Sequence, residues 1–453
     1  MPMPNRTRLR FASANVMMVA NAFIWYLLAF DTLKDLLAKQ GSDSWTLLLI
    51  GVNTGAIVVS AFFGSFLFDK ILKKRGDFLL FWLASGVILS IIPLGLNVST
   101  FNGLMVISLV FGLYFGVGMP ATMGYHSSVT SVEDRAKVSG ISFLIIGIIF
   151  AIIGLVVFDS LVASCLILAG IRLIGLILFS LLKGKEVTPQ QLNSVKYTQI
   201  ITSKSFLLYF VPWCMFTLVN FLTMPIQNKI FAADSFNLLI MLENIVGAVV
   251  AVISGFLADR WGRKRLSIIG FMMLGIGYAV IGIFSIIGAD LMLGGAIYFI
   301  ADGIAWGIFF VLFIFTLWGD LAQNRNGDKY YFLGALPYVS SYFLQLLFAP
   351  YLSTPTLSIT AAAATIFPFA SIFLFLAVLP LIYAPETLPE KTMKDRDLKS
   401  YVEKVKKIAQ KEQEKNQRDD KKNEQGTQQL EESSKEKNAD DYEKAKALAE
   451  KYY

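Results

Sequence analysis

The apolar residues of this chain fall into blocks about as long as a helix needs to cross a bilayer, roughly 20 residues. The blocks run over 11–30, 45–68, 78–97, 103–125, 138–158, 160–182, 205–226, 236–258, 266–288, 291–318, 331–351 and 360–384. Most are apolar on every side, as a helix surrounded by lipid and other helices requires. Strands of a β-barrel would alternate apolar and polar residues, and these blocks do not. Composition agrees: 55% of the 453 residues are hydrophobic and only 16% are charged, too few charges to cover a soluble protein of this size. The expectation is an all-α integral protein with about twelve transmembrane helices, multi-pass in a cell membrane. The first block follows Arg6, Arg8 and Arg10 with no small-residue cleavage site behind it, and reads as a retained helix.

Lysine and arginine set the expected orientation, because they accumulate on the cytoplasmic side. One set of loops carries Lys70, Lys73, Lys74, Arg75, Arg135 and Lys137. The same side holds Lys183, Lys185, Lys196, Lys204, Arg260, Arg263, Lys264, Arg265, Arg325 and Lys329. The opposite loops hold only Lys34, Lys39 and Lys229. With an even number of helices, both termini are expected in the cytoplasm. This bias accounts for the isoelectric point of about 9.1 without a nucleic-acid partner. Cys165 and Cys214 lie inside apolar blocks and read as small buried hydrophobes, so neither a disulfide nor a metal is expected. His126 closes a block and is expected beside the lipid headgroups. No phosphate-binding glycine loop occurs, and one histidine leaves no nucleophile–histidine set, so the chain is expected to be neither an ATP-driven pump nor an enzyme. No cofactor is expected.

The chain also repeats itself. Ser-Phe-Leu-Phe-Asp ends at Asp69 and Gly-Phe-Leu-Ala-Asp ends at Asp259, 190 residues later, each leading into a basic turn. Arg135 and Arg325 are the same 190 residues apart. Two landmarks at one offset argue for two six-helix halves in parallel repeat, an architecture that places a solute site between the repeats. The expected organisation is a half over 1–182, a linker over 183–204, a second half over 205–388 and a charged tail over 389–453.

Gly255-Phe-Leu-Ala-Asp259-Arg260-Trp-Gly262-Arg263-Lys264-Arg265 resembles the signature loop of the major facilitator superfamily. The first-half copy keeps Asp69, Lys70, Lys73, Lys74 and Arg75, but Ser65 replaces its first glycine and Leu72 a later one. Glu133 with Arg135, and Asp320 with Arg325, resemble the acidic/basic pairs of that superfamily's other cytoplasmic loops. The resemblance covers roughly 10–385 and implies alternating access, with helices 1, 4, 7 and 10 lining the pathway and 2 and 8 contributing. Independently of it, Gly255 and Ser65 let a neighbouring helix come close. Asp259, at a helix end among cations, can form part of a latch between the halves.

Ionisable groups inside a membrane span usually face a cavity or a partner. Arg172, Glu243 and Asp302 stand out. Glu243 precedes Asp259 by 16 residues, roughly 24 Å of helix, which puts it in the outer half of the membrane. A carboxyl shielded from water can take up and release a proton near neutral pH, so Glu243 and Asp302 are candidate proton or cation coupling sites. A structural role for Glu243, an ion pair of Asp302 with Arg172, and packing for Arg172 are the other readings. Asn21, Trp25, Asn53, Tyr114, Asn220 and Trp306, with Tyr26 and Trp213, suggest a polar cavity of low charge. Asn53 and Glu243 are again 190 residues apart, so the halves can offer equivalent positions.

The expected function is secondary transport of a small solute, coupled to a proton or sodium ion, by a monomer in contact with membrane lipid. A sensor or assembly protein on the same fold is the alternative. Pro385-Glu386-Thr387-Leu388 resembles the ending of sugar porters, but helix 7 lacks their paired glutamines. Helix 5 carries Gly140, Gly147 and Gly154 without the Gly-Pro signature of drug antiporters, so sugar uptake and drug efflux both stay open. Within the tail, Leu398, Tyr401, Val402, Val405, Ile408 and Ala409 have helical spacing, and 392–412 is expected to form an amphipathic helix.

Overall fold

The computed structural model describes residues 5–40, 43–70, 74–154, 160–183, 195–323, 327–352 and 359–389, with a few tail residues. These residues are helical and contain no strand. The first half holds α1 (Asn5–Gln40), α2 (Asp43–Lys70), α3 (Arg75–Ile91), α4 (Phe101–Val129), α5 (Arg135–Gly154) and α6 (Leu161–Leu182). The second holds α7 (Lys204–Ile230), α8 (Ala233–Trp261), α9 (Arg263–Ile287), α10 (Leu291–Ala322), α11 (Asp328–Leu352) and α12 (Ile359–Tyr383). Eleven of these, all but α5, include a stretch long and apolar enough to cross a membrane among the described residues.

The helices outrun their apolar blocks, because the end turns need backbone partners rather than lipid. Side-chain caps supply several of them: Thr100 accepts from Gly103 N at the start of α4, Ser160 from Ala163 N at α6, and Asp290 from Met292 N and Leu293 N at α10. Helix α10 is not α-helical throughout. Phe310–Thr316 winds as a π-helix before the last turns, Leu317–Ala322. Such segments often mark functional sites, since wider winding redirects side chains and loosens carbonyls.

Within each half the same partners pack: α2 on α4 in the first, α8 on α10 in the second. Both contacts are backbone-close. A methyl at Gly112 would stand 2.6 Å from Asn53 O, and one at Gly303 would stand 2.6 Å from Glu243 O. Between the halves, α5 packs on α8, α2 on α11, and α5 on the π segment of α10. Contacts divide the chain at Pro389, and the tail Glu390–Tyr453 forms a separate unit. Its described residues are exposed, and 392–412 lies outside them except for Lys406.

Candidate solute cavity and gate

Four helices line a small cavity of about 30 Å³ between the halves. The first half contributes Phe23 and Tyr26 from α1 and, at i, i+4, i+8 on one face of α4, Phe115, Met119 and Met123. Opposite them, α10 contributes Phe313 and Ile314 from the π segment and then Trp318. Helix α11 presents the i, i+4, i+7, i+8 face Tyr331, Ala335, Tyr338 and Val339. Side chains tie up the carbonyls that the π winding frees: Trp318 Nε1 donates to Phe313 O, Tyr331 OH to Phe315 O at 2.6 Å, and Thr316 Oγ1 to Val311 O at 2.6 Å. One turn beyond Tyr26 and Tyr338, the rings of Phe30 and Tyr342 meet across the halves with centroids 5.3 Å apart.

At the basic end, charges close the opposite side. Arg135, the first residue of α5, pairs with Asp320 at the end of α10, and Arg263 Nε donates to the other oxygen of Asp320 at 3.0 Å. Arg263 also holds Asp259 at 2.8 Å and reaches Val132 O in the first half. The second oxygen of Asp259 accepts from Lys137 N of α5 at 3.0 Å. A further bridge between the halves joins Arg75 of α3 to Asp328 of α11 at 2.5 Å. Arg263, Arg135, Asp320, Asp259 and Asp328 are at most 3% exposed, so this is a desolvated network rather than a surface ion pair. Gly255 lets α8 approach α5: a methyl there would stand 2.6 Å from Ala136 O. Gly262 turns α8 into α9 at φ 101°, where a side chain would be strained.

The segment after α12 joins the network. Glu386 accepts from Arg263 N at 2.8 Å and Lys264 N at 3.2 Å, a carboxylate at the N-terminus of α9, and Thr387 Oγ1 donates to Asp320 at 3.2 Å. Ser65, standing where the second-half copy has a glycine, hydrogen-bonds Tyr197 of the linker. Tyr197 stacks on Phe62, and Lys329 donates to Val195 O at 2.9 Å. Arg260 and Glu133 are exposed. Asp69 lies in the last turn of α2 with its side chain outside the described residues, and Arg325 lies outside them altogether. Arg135 therefore takes its carboxylate from α10, not from its sequence neighbour Glu133.

Of the sequence-selected polar residues only Tyr26 lines the cavity, and several of the others fall into two clusters away from it. In the first half, Arg172 is 0% exposed and donates to Asn21 Oδ1 at 2.8 Å. Its guanidinium lies 4.3 Å from the Trp82 ring, 4.7 Å from Trp25 and 5.1 Å from Tyr114. Trp25 donates to Ser90, Tyr114 to Trp82 O, and Asn53 to Ser108 O, each at 2.8 Å. In the second half, Asp302 accepts from Tyr298 at 2.9 Å. Gln227 donates to Tyr298 at 2.8 Å, and the Tyr278 hydroxyl oxygen lies 3.1 Å from that of Tyr298. Glu243 lies on the facing helix, its backbone oxygen 2.6 Å from where a methyl on Gly303, the residue after Asp302, would stand. Arg172 and Asp302 do not pair: each has its partners in its own half.

Asn220 is buried on α7, and Trp213 donates to Gly334 O at 2.9 Å. Trp306 reaches the cavity indirectly, its ring 6.1 Å from that of Tyr338. His126 is not at the headgroups but 0% exposed, between Asn15 at 2.9 Å and Ser139 at 3.2 Å, because α4 and α5 fold it against α1. The cavity lining itself, Tyr26 apart, went unselected, since Phe, Met and Ile carry no signal inside an apolar block.

A family model described as Major Facilitator Superfamily matches residues 10–328. Among solved structures, the chain is similar to the MFS proton:xylose symporter XylE bound to 6-bromo-6-deoxy-D-glucose. There the identity is 14%, covering 85% of this chain and 97% of that one, with a TM-score of 0.61. It is similar to the human organic anion transporter MFSD10 (TETRAN) at 14% identity, covering 84% and 100%, with a TM-score of 0.56. A double-tryptophan mutant of XylE gives 15% identity, 86% and 97% coverage, and a TM-score of 0.57. At these identities the likeness is one of fold. Comparison with curated proteins gives no match.

Proposed function

This chain belongs to the major facilitator superfamily, and on that premise we propose that it carries a small solute across the cytoplasmic membrane by alternating access, basic end inward. The observation that carries the reading is the position of the cavity. It lies between halves 1–182 and 205–388, next to a buried ion network whose bonds cross from one half to the other. Cavity and gate adjoin: Trp318 and Tyr331 line the floor, and a methyl at Gly319 would meet both Tyr331 OH at 2.5 Å and Arg135 Nη1 at 3.2 Å. A solute pressing on the floor thus acts on the Arg135–Asp320 pair, and opening the pair reshapes the floor. Ser65, Asp69, Arg75, Gly255, Asp259, Arg263 and their neighbours are the gate in this reading. Glu243 and Asp302 take up the proton or cation, with Asn21, Trp25, Asn53, Tyr114, Asn220 and Trp306 supporting them or the pathway.

Thiol labelling tests this. Ala335→Cys, in a protein with Cys165 and Cys214 replaced, is placed in sealed vesicles and treated with an impermeant reagent from either side. Alternating access predicts labelling from each side, with Asp320→Asn shifting it toward the basic side. Labelling confined to one side and untouched by Asp320→Asn would leave a non-transporting sensor on this fold as the better account.

A further inference from the structure

We propose that a groove between α3 and α4 binds one anionic phospholipid of the basic-side leaflet, with an acyl chain in the groove and the headgroup at Lys74. The groove is separate from the cavity between the halves, and its occupant does not depend on the transport reading. Its volume is about 340 Å³. Phe78, Trp82, Ser85 and Leu89 line it at i, i+4, i+7 and i+11 of α3, and Leu113 and Val117 at i and i+4 of α4. The rim faces lipid, with Phe81 71% exposed and Leu113 40%. Two rings hold the helices apart and floor the groove. Trp82 lies where a methyl at Gly118 of α4 would stand, and Tyr114 OH where a methyl at Gly86 of α3 would stand. The two rings stack with centroids 5.1 Å and planes 19° apart.

The wall calls for hydrocarbon. Its polar side chains spend their donors on backbone carbonyls: Trp82 Nε1 on Tyr114 O at 2.9 Å, Tyr114 OH on Trp82 O at 2.8 Å, and Ser85 Oγ on Trp82 O at 2.9 Å. A polar occupant would lose its water and meet no donor, whereas an acyl chain has no hydrogen bond to lose. Length agrees. From Phe78 to Leu89 the groove follows roughly 16 Å of helix, about half of a hydrocarbon core roughly 30 Å thick, which suits a chain from one leaflet. The groove begins one turn after Lys74, so that leaflet is the one on the basic side. At this mouth Asp77 lies 2.6 Å from Lys183 and 4.0 Å from Lys74, whose side chain is 75% exposed. Two cations share one acid, and the positive excess complements an anionic headgroup above the groove.

The test is native mass spectrometry of the purified full chain loaded with phosphatidylglycerol or with phosphatidylcholine of the same chain length. The wild type is expected to retain one phosphatidylglycerol, about fivefold more than phosphatidylcholine, as one lysine beside an anionic headgroup contributes. Ser85→Phe, which puts a ring into the groove, is expected to abolish retention of both. Leu113→Trp, at the rim, serves if Ser85→Phe does not fold. Lys74→Gln is expected to retain the two lipids equally, at the phosphatidylcholine level. Ile177→Trp, at a 50% exposed position of α6, is the control and is expected to keep wild-type retention. Phosphatidylglycerol that survives both groove-filling variants, or is lost equally in Ile177→Trp, overturns the proposal. Equal retention of the two lipids by the wild type overturns it too. So does a lipid-free dimer that Ser85→Phe dissociates, which would assign the groove to a second copy of the chain.

Discussion

Arg172 shows how one residue can carry a full charge through an apolar core without a carboxylate. Its guanidinium is capped by three rings within 4.3 to 5.1 Å and anchored to Asn21, while Nε and Nη2 have no acceptor. Cation–π contacts of this desolvated kind contribute up to about 2 kcal/mol, and lysine lacks the flat face that lies along a ring. Arg172→Lys is therefore expected to cost about 2 kcal/mol of stability, seen as a lower Tm, and to leave solute affinity within about twofold, because Arg172 lines no part of the cavity. An affinity loss as large as the stability loss would place Arg172 in the pathway instead. Asp320→Asn is the harsher change. It leaves two buried guanidiniums, Arg135 and Arg263, without their shared counter-charge, at a cost of about 3–5 kcal/mol. A Tm unchanged by Asp320→Asn would show that the network is solvated. Charge made the gate residues legible in the sequence, since an Asp at the end of an apolar block needs a partner. It could not name the partner, and Arg135 reaches 185 residues along the chain to Asp320 rather than two to Glu133.

At the scale of elements, helix count and order were legible because apolar block length is set by the bilayer. The π segment was not: Phe-Val-Leu-Phe-Ile-Phe-Thr reads as ordinary helix, and its winding depends on Trp318, Thr316 and Tyr331 taking up its carbonyls. Helix α11 likewise enters the cavity where the resemblance implied α7, because its tyrosine face is indistinguishable from a lipid-facing one by composition. Glycine, by contrast, told the truth about α5 and α8. Gly255→Leu is expected to prise these helices apart, since even a methyl there lies 2.6 Å from Ala136 O, and so to raise labelling of Ala335→Cys from the basic side. Gly55→Ala, with nothing within 4 Å, is the matched control and is expected to change neither labelling nor Tm. Equal effects from the two substitutions would remove close packing as the reason for Gly255.

Over the whole molecule, the two halves share a packing plan but not a chemistry. The first half buries a cation among rings, while the second buries an acid, Asp302, among tyrosines and an amide, with Glu243 half-buried on the facing helix. Ionisable groups inside a span usually face a cavity or a partner, so Asp302 and Glu243 remain the candidate coupling site. It sits on α8 and α10, and α10 continues through the π segment and Trp318 to Asp320, so one helix runs from the acid pair past the cavity to the gate. Loading the acid site can therefore bias the gate through α10 with no direct contact, provided the helix has two arrangements. Glu243→Gln and Asp302→Asn are each expected to preserve exchange of solute across vesicles, which needs only the cavity and the gate. Each is expected to abolish accumulation driven by an imposed proton or sodium gradient, which needs the titrating site. The readout is the ratio of gradient-driven uptake to exchange, so that a variant inserting poorly lowers both terms equally. A wild-type ratio in both variants would move the coupling site elsewhere, or make the protein a uniporter in which the tyrosine–acid cluster only holds α7, α9 and α10 together.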